Sequence, residues 1–244
     1  MRRKNAWTTY NKKQLDELEK LCKNYLKFLD KGKTERECVK QIVKQAEEKG
    51  YVNLADITKD KKALKAGDKV YSVCMDKTVA LFQIGKKKLE KGMNILGAHI
   101  DSPRMDVKQN PLYESEEFAY LDTHYYGGIK KYQWVTLPLA LHGVVVKKDG
   151  TVITVNVGED KNDPVFCVTD LLIHLAGEQM EKKANKVIEG ENLDVLVGSK
   201  PLEGKEKDAV KEGILEILKE KYDMTEEDFM SAEIEVVPAG HARE

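Results

Sequence analysis

A histidine and an aspartate stand one residue apart in "NILGAHIDSPRMD" (Asn94–Asp106), where an apolar run stops and Pro103 turns the chain. A buried strand has no need of such a pair, but a metal site does. One nitrogen of the His99 imidazole can ligate a metal. Asp101, two residues on, can reach the other nitrogen and fix the tautomer, as carboxylates behind metal-bound histidines do. A histidine at a strand end is also often structural, so the pair alone leaves both readings open.

The elements that would carry this pair can be read from the spacing of apolar residues. Leu15, Leu18, Leu21, Cys22, Tyr25, Leu26 and Leu29 recur every three or four residues and predict an amphipathic helix. Thr34 and Glu37 form a T-x-x-E capping box that opens a second helix, ending near Gly50. "DKVYSVCM" and "TVALFQIG" predict a hairpin around a short Asp-Lys turn. "MNILGAH" is expected to be a short strand buried in the sheet, with His99 at its carboxyl end, where open α/β sheets place their sites. Helices followed by adjacent strands point to a layered α/β unit.

Beyond about residue 103 the texture changes. "VKQNPLY", "EFAYLDTHYY", "WVTLPLALHGVVVKKDG" and "TVITVNVG" are β-rich and parted by Pro, Gly and Asp-Gly turns. A helix is expected from an N-cap at Thr169 through "DLLIHLAGEQMEKKA", and another over Lys207 to Tyr222 with Val210, Ile214, Leu215, Ile217 and Leu218 as its stripe. "AEIEVVPAG" predicts a closing strand. The expected division is residues 1–103 for the α/β part, 104–238 for a β-rich module with helices, and 239–244 for a return toward the first part.

Composition narrows the function classes. The 244 residues are 41% hydrophobic and 34% charged with a formal net charge of −1, so no global basic field favours nucleic acid or an anionic membrane. The four cysteines are scattered without a C-x-x-C pair, against a zinc finger or a disulfide framework. The basic start "MRRKNAWTTYNKKQ" lacks the apolar stretch of a signal peptide, and no run is long enough for a membrane helix. A cytoplasmic protein is expected.

Taken in order, "GAHIDSPRMD", "YYGGIKKYQW", "TDLLIHLA", "EGENLDVLVGSKPL" and "EIEVVPAGHAR" resemble the aspartyl aminopeptidase family of zinc metallopeptidases, in its bacterial branch. The match is collinear and covers essentially the whole chain. The resemblance implies an α/β catalytic domain with two zinc ions and a β-rich dimerisation domain inserted after the H-x-D strand. It also implies hydrolytic removal of amino-terminal Asp or Glu from peptides. On that resemblance His99 is a zinc ligand and Asp101 its orienting carboxylate. The same resemblance implies that His174, in "TDLLIHLA", contacts substrate in a neighbouring subunit's site; the alternative is a histidine packed between subunits or onto its own sheet. Manganese or cobalt would also suit nitrogen and oxygen ligands of this kind.

This sequence departs from the family in one large respect. The bridging aspartate, a Glu-Glu pair, a further aspartate and a late histidine all follow "PAG-AR" in the family, whereas this sequence stops at Glu244. The expectation is the amino-terminal half of a longer enzyme, or else a truncated, non-catalytic assembly protein. Either form is expected to self-associate as a dimer or a larger closed shell. Tyr113, Tyr125, Tyr126, Tyr132 and Trp134 are read as exposed aromatics suited to that contact. His124, His142 and His241 match no ligand position, and surface or core roles are expected for them.

Overall fold

The computed structural model describes residues 3–60 and 62–244. The chain divides into two compact units: Met1–Asp101 with His241–Glu244, and Ser102–Gly240.

In the first unit the apolar spacing yields α1 (Lys12–Lys31), capped by Asn11, whose side chain accepts from the Gln14 amide. α2 (Glu35–Glu48) starts from the Thr34–Glu37 capping box, both halves of which are formed. A three-stranded sheet follows in the order β1 (Val52–Asn53), β2 (Lys69–Cys74), β3 (Thr78–Gln83), with short helix α3 (Leu54–Lys59) between the first two strands. β2 and β3 form the expected hairpin, with Val70 opposite Phe82. In its three-residue turn, Met75–Lys77, the first two residues are left-handed, with φ of 53° and 57°. That is the turn whose twist matches paired strands.

The run at residues 93–99 is not a strand. It pairs with no neighbour among the described residues, and Ile95 and Leu96 are 82% and 101% exposed. The cause is elementary: an extended apolar segment becomes a strand only when flanking strands take up its N–H and C=O groups.

The second unit is built on one antiparallel sheet of seven strands: β4 (Arg104–Ser115), β5 (Phe118–Tyr126), β6 (Leu139–Val146), β7 (Val152–Val157), β8 (Cys167–Val168), β9 (Val195–Gly198) and β10 (Ala232–Pro238). Their spatial order is β7-β6-β10-β4-β5-β9-β8. One face carries the core, where Met105, Leu139, Val145, Val195 and Val236 are fully buried. Trp134 joins this core at 9% exposure, which corrects its reading as a surface aromatic, while Tyr125, Tyr126 and Tyr132 remain partly exposed.

α5 (Ala209–Tyr222) packs on the core through Val210. Its N-terminus is capped from a distance, because Glu114 on β4 accepts the Val210 and Lys211 amides at 2.8 and 2.9 Å. Gly143 on β6 is required by close backbone approach, since any added Cβ would run into the Glu233 carbonyl on β10.

The helix expected from Thr169 is almost absent. Only α4 (Gly177–Met180) is helical, and residues 169–176 form an irregular turn. Asp170 explains this locally: its carboxylate accepts from its neighbour Leu171 N–H at 2.8 Å and from Gln179 Nε2 at 2.9 Å. This fold-back competes with helix initiation. Leu171, Leu172, Ile173 and Leu175 are left 54–71% exposed.

Candidate functional site

Between β3 and β4 the chain makes one 3-10 turn, at Leu89–Lys91, and then runs without regular structure through the H-x-D pair to Pro103. His99 Nδ1 lies 3.0 Å from the Asp101 carbonyl oxygen and 3.1 Å from Asp101 Oδ1. Both neighbouring oxygens can accept from an Nδ1–H, an arrangement that leaves Nε2 for a ligand. The imidazole is open, at 83% exposure, and the Asp101 carboxylate is less so, at 39%. This is the arrangement a metal-binding histidine requires on its rear side.

The rest of a metal site is not assembled by this chain. No group of three or more His, Cys, Asp or Glu side chains able to hold a metal ion occurs among the described residues. A catalytic zinc needs about three protein ligands and a structural one about four. The residues present therefore fit one corner of such a site and not the whole of it.

His174 lies in the second unit, exposed in the turn that precedes α4, with apolar side chains on both sides of it in sequence. It is not on a helix face. His142 is buried at 2% exposure in β6, with Nε2 3.0 Å from Glu159 Oε1. His241 lies on the surface beside Asp30, and exposed His124 stacks on Tyr125.

A family profile described as "Aminopeptidase I zinc metalloprotease (M18)" matches residues 28–244. The chain belongs to the M18 aminopeptidase family. Among its M18 relatives is a probable M18 family aminopeptidase 1 of Clostridium acetobutylicum, 61% identical over 242 residues, which cover 99% of this chain and 52% of the relative. Counterparts in Borreliella afzelii and Thermotoga maritima are 45% and 47% identical. The crystal structure of the Thermotoga maritima M18 aminopeptidase superposes with a TM-score of 0.92 at 47% identity, over 100% of this chain and 52% of that one. Aminopeptidase I from Clostridium acetobutylicum gives 0.88 at 59% identity, over 100% and 54%. The yeast mApe1 dodecamer shares the fold at 16% identity, with a TM-score of 0.64. The chain spans about half the length of the curated relatives it matches. The mixed α/β architecture is thus that of the M18 aminopeptidases. No helix among the described residues is long and apolar enough to cross a membrane.

What the sequence did not single out is a set of buried polar and charged side chains brought together around β4 and β10. Arg104, Glu235 and His142 are 6%, 2% and 2% exposed. Arg104 was visible in "SPRMD" beside the H-x-D pair, but its partner comes from a strand about 130 residues later.

Proposed function

We propose that this chain supplies the amino-terminal half of a zinc-dependent aminopeptidase that removes amino-terminal, preferably acidic, residues from peptides. The observation that carries the reading is the His99–Asp101 pair, with its carboxylate beside Nδ1 of an exposed imidazole, inside the region that matches the M18 profile. His99 is assigned as a zinc ligand and Asp101 as the residue that orients it. The other ligands and the general base are assigned to the additional length of the relatives. The exposure of Ile95 and Leu96 supports this, because the same length would provide strands to flank residues 93–99.

The second unit is assigned as the dimerisation module, and His174 as a substrate contact delivered from it, in trans within a dimer or a larger closed shell. The distant yeast structure is a dodecamer, which agrees with such assembly, as does the apolar turn around His174. The cytosol, with short peptides as substrates, is the setting that fits this reading.

Complementation tests the reading. This chain and the uncovered carboxyl-terminal half of the Clostridium acetobutylicum relative are purified separately and mixed with zinc. Chelator-sensitive hydrolysis of an Asp or Glu anilide is expected from the mixture alone. Hydrolysis by this chain alone, or an inactive mixture in which the two halves demonstrably associate, would refute it.

A further inference from the structure

The seven-stranded sheet has a seam. β10 and β6 are paired over seven residues, and β4 and β5 over eight, but β10 and β4 are in register only at Glu235 opposite Asp106 and Val236 opposite Met105. Three strands on one side of the sheet therefore join four on the other through a very short ladder. Both connections to the first unit leave from this seam, since β4 begins at Arg104, directly after Ser102 and Pro103, and β10 ends at Pro238, directly before Ala239 and Gly240.

On the core face the seam is closed by Met105 and Val236, both fully buried. On the other face a row of polar residues crosses four strands at one level: His142 on β6, Glu235 on β10, Asp106 on β4 and His124 on β5 are successive partners. Directly opposed residues share a face of a sheet. Arg104 binds this row together. Its Nε lies 2.7 Å from Asp106 Oδ1 and 3.2 Å from Glu235 Oε2, and its guanidinium sits 4.1 Å from the centre of the Tyr126 ring. Farther along, His142 Nε2 contacts Glu159 Oε1 at 3.0 Å, and Glu159 Oε2 accepts the Gly240 amide at 3.1 Å. The Ala239 amide donates to the Pro138 carbonyl at 2.9 Å.

Buried ion pairs are poor sources of net stability compared with well-packed apolar side chains. Their strength lies in specifying register, because a slip strands each buried charge without its partner. A ladder of two pairs is where register is least defined by backbone bonds alone, and Arg104 crosses it there.

We propose that Arg104, clasped by Glu235 and Asp106, is a positioning residue that fixes the register of the β4–β10 seam, where the chain enters and leaves the second unit. This clasp does not depend on the function proposed above.

Hydrogen exchange read by mass spectrometry on the 244-residue chain tests it. The variants are Glu235→Gln and the double variant Arg104→Met with Glu235→Met, which keeps side-chain bulk across the seam and guards against simple unfolding. In the double variant the thermal midpoint is expected to stay close to that of the parent. Exchange at Met105–Val107 and Ala239–Gly240 is expected to rise by about tenfold or more, while β7 and β9 are unchanged. Unaltered exchange at both ends of the seam would overturn the proposal, and so would a rise spread evenly over the sheet. A failure of the metal reading, by contrast, would leave this exchange pattern intact.

Discussion

Asp30, near the end of α1, and Ala242 meet across 212 residues of sequence: Asp30 Oδ1 accepts the Ala242 amide at 2.6 Å. The other carboxylate oxygen lies 3.4 Å from His241 Nδ1. One side chain thereby captures the chain as it re-enters the first unit. Asp30→Ala should cost about 1 kcal/mol of stability, the usual worth of such a bond. It should also make the Ala242 amide one of the fastest to exchange. Retained protection at Ala242 would show that other contacts hold the segment.

Glu114 plays the part of an N-cap for α5 although it lies on β4. Glu114→Ala should destabilise the second unit by roughly 0.5–2 kcal/mol, the range for loss of a cap. Urea unfolding read at that unit checks this, and Glu114→Gln should recover part of the loss because its amide oxygen still accepts.

Asp194 makes stability depend on pH in the sense opposite to most carboxylates. Burial raises its pKa above the ordinary value and outweighs the hydrogen bond from the Tyr113 hydroxyl, at 2.5 Å, which acts the other way. The folded state thus holds a proton that the unfolded chain releases above about pH 4. The stabilising contribution is complete below that unfolded value and is lost as pH rises through the folded one. Asp194→Asn should therefore raise Tm at about pH 7 and leave it little changed below about pH 4. An Asn variant no more stable than the parent at neutral pH would contradict the assignment.

The chain on its own should bind zinc weakly, since one imidazole stands where about three ligands are needed. Isothermal titration would decide; tight stoichiometric binding abolished by His99→Ala would mean the site is already complete. In the complemented enzyme His99→Ala should abolish activity. There Asp101→Asn should weaken metal binding roughly 10- to 100-fold.

Self-association should run through the second unit. Light scattering after size exclusion is expected to give at least a dimer of the 27.7 kDa chain. Leu172→Lys with Ile173→Lys, placed in the exposed apolar turn beside His174, should weaken it. A monomer at micromolar concentration with the second unit folded would overturn the expectation.

How far the sequence could be read follows from how local each determinant is. α1, the Thr34–Glu37 box, the β2–β3 hairpin and α5 are written in residues within one or two turns of each other, and the structure forms all of them. Residues 93–99 look like a strand, but strand formation depends on partners elsewhere, and none pairs with them among the described residues. "TDLLIHLA" has helical composition, yet the Asp170 carboxylate turns back on its own backbone. The contact between His99 and Asp101 was legible because it spans two residues. The Arg104–Glu235 clasp was not, because strand pairing brings together positions that no short motif links.

The capture of Ala242 by Asp30 also orders events during synthesis. Ser102–Gly240 is continuous in sequence, so the second unit can close its sheet as soon as β10 leaves the ribosome. The Asp30–Ala242 bond comes later. Asp30 lies on α1, and its partner Ala242 is made 212 residues later. Within this chain the Asp30–Ala242 bond is therefore among the last contacts to become available.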